Sequence, residues 1–207
     1  MKTVSKAWEK IFQQQGKVFM EPHWDMPKVI KQLKDIKAEK VLDLGSGTGR
    51  HVINLAQNGF SVYGLDNSQE GINTTKQWLK TEKLNADLVL QEMTEKLPWE
   101  DNYFDAIVCV QVIHHADIAA IKKIIAEMER VLKKGGFIFV TVPKLKNQAT
   151  KYKEIEPNTY VPLDGWEKGL PHHYFNPEEL KDFFLNFDIV DIHLDQISHH
   201  CMSAFKL

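Results

Sequence analysis

Lys40-Val-Leu-Asp-Leu44 runs into Gly45-Ser-Gly-Thr-Gly49, and that turn runs into Arg50-His-Val-Ile-Asn-Leu-Ala56. A short apolar run, a glycine-rich turn and apolar residues at helical spacing (Val52, Ile53, Leu55, Ala56) read as strand, loop and helix, with Asn58-Gly59 as the C-cap. A turn of this kind lets backbone approach a ligand and aims N–H groups at it from a helix N-terminus. Its spacing narrows the choice of ligand. A dinucleotide fingerprint begun at Gly45 and Gly47 needs its third glycine three residues after Gly47, and Arg50 stands there. The loop has no Gly-Lys-Ser/Thr ending of the Walker type, and an acid, Asp43, precedes it by two residues.

The same alternation continues outward. Phe60–Leu65 reads as a strand closed by Asp66, residues 69–83 as a helix, Asp87–Gln91 as a third strand. Phe104-Asp-Ala-Ile-Val-Cys-Val110 is almost continuously apolar, as a central strand buried on both faces is. Residues 117–133 carry Ile121, Ile124, Ile125, Met128 and Leu132 on one stripe, with Lys133 and Lys134 in the last turn and Gly135-Gly136 as the stop. Phe137–Val142 is a fifth strand, stopped by Pro143. Strands alternating with helices predict an α/β, doubly wound, mostly parallel sheet with helices on both faces. Such sheets bind ligands outside the carboxyl ends of their strands, which directs attention to residues 45–50, 66–68, 92–98 and 111–117.

Two regions fall outside the alternation. Residues 1–37 read as helical, with Trp8, Ile11, Phe12, Val29, Ile30 and Leu33 as apolar anchors. Residues 143–175 are polar and aromatic, and Pro157, Pro162 and Pro171 preclude long regular elements there. Asn176-Pro177-Glu-Glu then opens a helix to about 186, and 187–192 with 202–206 form a terminal hairpin, which brings the sheet to seven strands. The expected organisation is a single domain: N-terminal helical lid (1–37), ligand-binding core (38–142), cap insertion (143–175), C-terminal helix and hairpin (176–207).

At 207 residues the chain is long enough to bury a core without disulfides or metal. Its 43% apolar and 26% charged residues exclude a disordered or fibrous protein. A net charge of −2 does not advertise a polyanionic partner, so no nucleic acid is expected. Cys109 and Cys201 cannot make a disulfide framework or a four-cysteine site and read as buried thiols. His114-His115, His172-His173 and His199-His200 match no zinc spacing, so no metal site is expected. The first ten residues carry charge where a signal peptide needs an apolar stretch, and no apolar run approaches a membrane span. The expected location is cytoplasmic, without a membrane partner, as monomer or homodimer.

The glycine loop with its preceding acid resembles motif I of the class I S-adenosylmethionine-dependent methyltransferases of small-molecule type. Asp66 stands 21 residues after Gly45, where those proteins carry the acid that accepts from the ribose hydroxyls. Glu92-Met93 follows the third strand, where an acid meets the adenine amine and an apolar residue packs on the ring; relatives often have Asp at this position. Leu97–Asp105, Val112-Ile-His-His115, Leu132-Lys-Lys-Gly-Gly-Phe137 and Tyr174–Leu180 also fit the family's order of motifs. The resemblance implies S-adenosyl-L-methionine as cofactor, S-adenosyl-L-homocysteine as its product, and a small-molecule methyl acceptor. The cofactor-binding residues it implies are Asp43, Gly45, Ser46, Gly47, Gly49, Arg50, Asp66, Asn67, Glu92, Met93 and Gln111. Asp43 would lie near the methionine amino group and Arg50 would face the methionine carboxylate, although Asp43 could equally hold loop amides, Asp66 cap a helix, and Arg50 pair on the surface.

Methyl transfer needs a base only when the acceptor is protonated at neutral pH, and histidine is the natural one. His114, His115, His172 and His173 are the candidates, with His115 and His173 preferred. Aromatic residues Tyr152, Tyr160, Trp166, Tyr174 and Phe175, with Trp8, Phe12, Phe19 and Trp24, either cover an apolar acceptor or dock the two extra segments. The alternatives are an RNA-modifying methyltransferase, favoured only by Lys144, Lys146, Lys151 and Lys153, and a non-catalytic cofactor-binding module.

Overall fold

The computed structural model describes residues 2–144 and 151–207. Helices α1 (Lys2–Gln15) and α2 (Met26–Asp35) precede β1 (Lys40–Leu44), α3 (Arg50–Gln57), β2 (Ser61–Asp66), α4 (Gln69–Glu82), β3 (Asp87–Leu90), β4 (Phe104–Val110), α5 (Ile118–Val131) and β5 (Leu132–Pro143). Strands β6 (Tyr152–Glu156), β7 (Thr159–Pro162) and β8 (His172–His173) form the insertion, followed by α6 (Pro177–Phe183), β9 (Phe187–Leu194) and β10 (His199–Lys206). The main sheet has seven strands in the order β3-β2-β1-β4-β5-β10-β9. Strands β1 to β5 pair in parallel, and β10 pairs antiparallel with both β5 and β9. This is the doubly wound α/β sheet with a C-terminal antiparallel hairpin. Its order reverses between β1 and β4, and the crevice outside their carboxyl ends is where such sheets take ligands.

Strand alternation divides the core into two faces. Ile107 and Cys109 of β4 pack with Leu42, Leu44 and Ile121 on one side; Ala106, Val108 and Val110 pack with Val41, Val52 and Leu55 on the other. The unbroken apolar run of β4 is therefore what burial on both faces requires. Asp43 follows the same alternation and shares the face of Val41, toward α3.

Three expectations are corrected. Helix α5 ends at Val131, and Lys133, Lys134, Gly135 and Gly136 already belong to β5. Leu132 pairs with Phe104, the register then shifts, and pairing resumes at Phe137 with Ala106. Gly135, at φ 71°, takes up the irregularity, while Lys133 Nζ reaches Asp105 Oδ1 at 2.6 Å. The insertion, read as lacking long elements, holds a small antiparallel sheet, β6-β7-β8, whose prolines sit at its turns and strand ends. The terminal hairpin is longer than expected, 187–194 with 199–206, and α6 shorter. Of the lysines weighed for RNA, Lys144, Lys151 and Lys153 are exposed and Lys146 lies outside the described residues. No helix among the described residues is long and apolar enough to cross a membrane.

Candidate active site

The loop between β1 and α3 is possible only with glycine at two points. Gly45 has φ 78° and packs its α-carbon against the Val112 side chain, and Gly49, at φ 96°, caps α3 where a β-carbon would lie 2.6 Å from Thr75 Cγ2. The loop borders a cleft of about 460 Å³ at the carboxyl ends of β1, β2 and β4. Gly45, Ser46, Gly47, Arg50, Asp66, Asn67, Glu92, Met93, Gln111 and His115 line it. Of the residues expected to hold the cofactor, Asp43 and Gly49 do not reach its wall.

Asp66 is held by its own neighbours. Its Oδ2 accepts from Gly47 N at 2.8 Å and its Oδ1 from Ser68 N at 2.8 Å, and the Asn67 backbone N–H is a third donor to the same carboxylate. Burial pushes its pKa up to about 6 against these hydrogen bonds. On the next strand, Asn67 Nδ2 donates to Glu92 Oε2 at 3.1 Å, so the two expected cofactor contacts at the ends of β2 and β3 are one linked unit.

Asp43 lies beneath the loop, 1% exposed, and its Oδ2 has no hydrogen-bond partner. Burial, opposed by the Arg50 guanidinium, pushes its pKa up to about 7. Ser46 borders the cleft, but its Oγ is a second buried oxygen without a partner and lies beside Gly64 of β2. Arg50 donates through Nη2 to Gln111 Oε1 at 3.3 Å and through Nη1 to the Glu21 carbonyl at 3.3 Å, with its guanidinium 5.3 Å from the Phe19 ring centroid. Gln111 has φ 61° and donates its backbone N–H to Thr141 Oγ1 at 2.9 Å. The left-handed backbone there turns the chain out of β4 and sets the Gln111 side chain on the cleft wall.

Two chain segments roof the cleft. From α1 come Trp8 and Phe12, with Val18 and Phe19 following; from the insertion come Tyr152, Trp166, His172 and Tyr174. The two meet at Trp8, whose ring centroid is 5.2 Å from His115 and 6.0 Å from Trp166. Phe175 is buried against Phe183, Tyr160 joins the Tyr152–Tyr174 ring cluster outside the cleft wall, and Trp24 is exposed. The sequence did not disclose Glu9, whose Oε2 accepts from Ser68 Oγ at 2.6 Å and Glu70 N at 3.1 Å and so docks α1 onto the start of α4. Only its place beside Trp8 and Phe12 on the docking side of α1 hinted at it.

The histidine pairs are separated by strand alternation. His172 faces the cleft, 4.6 Å from His115 between ring centroids, with Nε2 3.3 Å from Glu167 Oε2. His173, the next residue of β8, points the opposite way: fully buried, Nδ1 2.7 Å from Thr159 Oγ1 and Nε2 3.2 Å from Glu179 Oε1. It does not line the cleft, and the expectation that preferred it over His172 is corrected on this geometry. His114 and His115 both line the cleft with a buried Nδ1 that has no partner, and burial holds both pKa values well below 6.5, so both are neutral bases at pH 7.

Comparison with known proteins bears on the same residues. The methyltransferase domain family matches residues 41–136. An uncharacterised methyltransferase of Mycobacterium tuberculosis is 33% identical over 110 residues, 53% of this chain and 42% of that protein. The chain thus spans about half the length of the curated relatives it matches. Among solved structures, a SAM-dependent methyltransferase of Methanosarcina mazei is similar at TM-score 0.72 and 24% identity, covering 82% of this chain and 92% of that one. The 1,6-didemethyltoxoflavin-N1-methyltransferase of Burkholderia thailandensis, solved with its substrate and S-adenosylhomocysteine, gives TM-score 0.73 at 17% identity, with 98% and 87% covered.

Proposed function

We propose that the chain, whose residues 41–136 match the methyltransferase domain family and whose sheet has the order of class I S-adenosylmethionine-dependent folds, transfers a methyl group from S-adenosyl-L-methionine to a small molecule. The observation that carries this reading is the convergence of Ser46, Asp66 and Glu92, from three separate strand ends, on one cleft roofed by aromatic residues. The chemistry of the donor set fits the cofactor. The remaining acceptor sites of Asp66 and Glu92 suit ribose hydroxyls and an exocyclic amine. Met93 offers a polarizable face to a ring. Arg50, fixed by Gln111 and the Glu21 carbonyl, offers its remaining N–H groups to a carboxylate.

When bound, the cofactor supplies a methyl group on a sulfonium, already activated for in-line displacement by the acceptor's lone pair. This chain's own contribution is alignment, which is worth up to roughly 7–11 kcal/mol, and the exclusion of water by Trp8, Phe12, Trp166 and Tyr174. An acceptor that must lose a proton finds His172 on the cleft wall to take it, with the His115 ring 4.6 Å away beside it. The enclosed shape of the cleft and the small substrate named for the Burkholderia neighbour support a small acceptor over RNA. Incubation with methyl-labelled cofactor and a metabolite extract tests the reading. The expected result is label in a small organic product that depends on the protein; label in RNA, or none in any product, would overturn it.

A further inference from the structure

Apart from the group of His114, His115 and His172, Asp25, His193 and Cys201 bring their donor atoms within 4.8 Å of one another. Asp25 Oδ2 is 3.0 Å from His193 Nε2. A second pair abuts them: Asp195 and His23 also have donor atoms within 4.8 Å of Cys201 Sγ, and His23 Nε2 is 3.2 Å from Asp195 Oδ2 and 3.9 Å from the sulfur. We propose that Asp25, His193 and Cys201 form a zinc-type divalent metal site, its fourth position open to water, that staples the segment before α2 to the β9–β10 hairpin.

The geometry supports a site built to hold an ion. In a tetrahedral zinc shell with metal–nitrogen and metal–oxygen bonds near 2.0–2.1 Å and a metal–sulfur bond near 2.3 Å, ligand atoms stand roughly 3.3–3.6 Å apart. The donor atoms of Asp25, His193 and Cys201 all lie within 4.8 Å of one another, so they need to converge by at most about 1.5 Å to reach that spacing. Neighbouring groups brace the set. His193 Nδ1 lies 2.7 Å from Asp191 Oδ2, the carboxylate–histidine arrangement that fixes a metal-bound ring. Asp195 Oδ1 accepts from Ile197 N at 2.9 Å and His199 N at 2.8 Å, while its Oδ2 lies 3.2 Å from His23 Nε2 and 3.5 Å from His199 Nδ1 and so braces Cys201's neighbours without ligating. His23 Nδ1 accepts from Asp25 N at 3.2 Å, so its Nε2 carries the proton and it serves to hold Asp195 rather than to ligate. Cys201 is fully buried, whereas the Asp25 side chain is 12% and the His193 side chain 32% exposed, so an ion can enter from that side. On binding, the Cys201 thiol gives up its proton to solvent and the thiolate becomes a ligand. A thiolate, an imidazole and a carboxylate together suit zinc better than magnesium or calcium. No spacing rule exposes such a set, because its members lie at 25, 193 and 201.

The consequence reaches the cleft. Val18 and Phe19 on one side of the staple, and Ile197 and His199 on the other, line the cleft wall. The site itself stands independently of the methyl-transfer reading. Its test is cobalt(II) titration of chelator-treated protein. The expected result is a thiolate-to-cobalt charge-transfer band with tetrahedral visible absorption that saturates at one equivalent and is displaced by zinc. Cys201→Ser should abolish the band, and Asp191→Ala should weaken zinc binding about 10–100-fold, the usual effect of losing such a partner. Thermal melts of each variant confirm that it is folded, and cofactor binding by the chelator-treated wild type separates failure here from failure of the proposed function. An aqua-ion spectrum at saturating cobalt in the wild-type protein overturns the site without recourse to variants. So does a band that survives in Cys201→Ser, or metal binding that is lost in His115→Ala and kept in Cys201→Ser.

Discussion

A buried carboxyl group with an orphaned oxygen resists ionisation, and Asp43 is in that position, with its pKa pushed from 3.8 to about 7. Because the folded-state value lies above the unfolded one, Asp43 costs nothing at low pH and lowers stability progressively as pH rises from 3.8 to about 7. At about 1.36 kcal/mol per unit, Asp43→Asn should gain roughly 2–3 kcal/mol on wild type between about pH 5 and pH 8 in denaturant unfolding; parallel pH profiles would contradict the burial argument. Asp66 leads to a binding prediction. Removing an acceptor of hydrogen bonds from the ribose should weaken S-adenosylhomocysteine by about 1.5–3 kcal/mol in Asp66→Ala, read by calorimetry on folded variant, with Asp66→Asn losing less. Wild-type affinity in Asp66→Ala would mean that the carboxylate only braces Gly47 and Ser68. Asp66, Glu92 and Gln111 were legible because chain order alone places a strand-end residue at the crevice. The burial of Asp43 below the wall was not, since a motif gives position along the chain and not depth. Glu9 was not legible either, because its partners, Ser68 and Glu70, are about sixty residues away.

Strand β8 is only two residues long, yet it decides which histidine can meet an acceptor. His172→Ala should lower turnover about 10²–10⁴-fold for an acceptor that must lose a proton, with cofactor affinity nearly unchanged. His173→Ala should act on stability, by roughly 1–3 kcal/mol, through the loss of the partner of Thr159. Equal loss of turnover per folded molecule in both variants would contradict the alternation. Helix α1 is held at the cleft by Glu9 and by the rings of Trp8 and Phe12, so Glu9→Ala should speed amide exchange over residues 7–15, and exchange unchanged from wild type would show that the aromatic contacts alone dock it. The pair of glycines at 135 and 136 misled because glycine ends a helix and interrupts a strand through the same freedom at positive φ. The insertion's sheet escaped because strands of five, four and two residues carry too little periodicity to register.

Across the whole molecule, the parallel core was the most legible part, because burial on two faces leaves a continuous apolar run such as Phe104–Val110 and the crossovers leave helical stripes between runs. What the core positions is the cleft, with Gly45, Asp66, Glu92 and Gln111 at the strand ends and Trp8, Phe12, Trp166 and Tyr174 above them on α1 and the insertion. That division explains why the former could be read from motifs and the latter only from the fold. The central claim is that this cleft is a cofactor site, and calorimetric titration with S-adenosyl-L-methionine and S-adenosyl-L-homocysteine measures it directly. The expected result is saturable heat for both ligands with micromolar affinity, on the order of −8 kcal/mol, and none for a nicotinamide dinucleotide. No heat and no thermal shift with either adenosyl ligand, alongside binding of the dinucleotide, would contradict it.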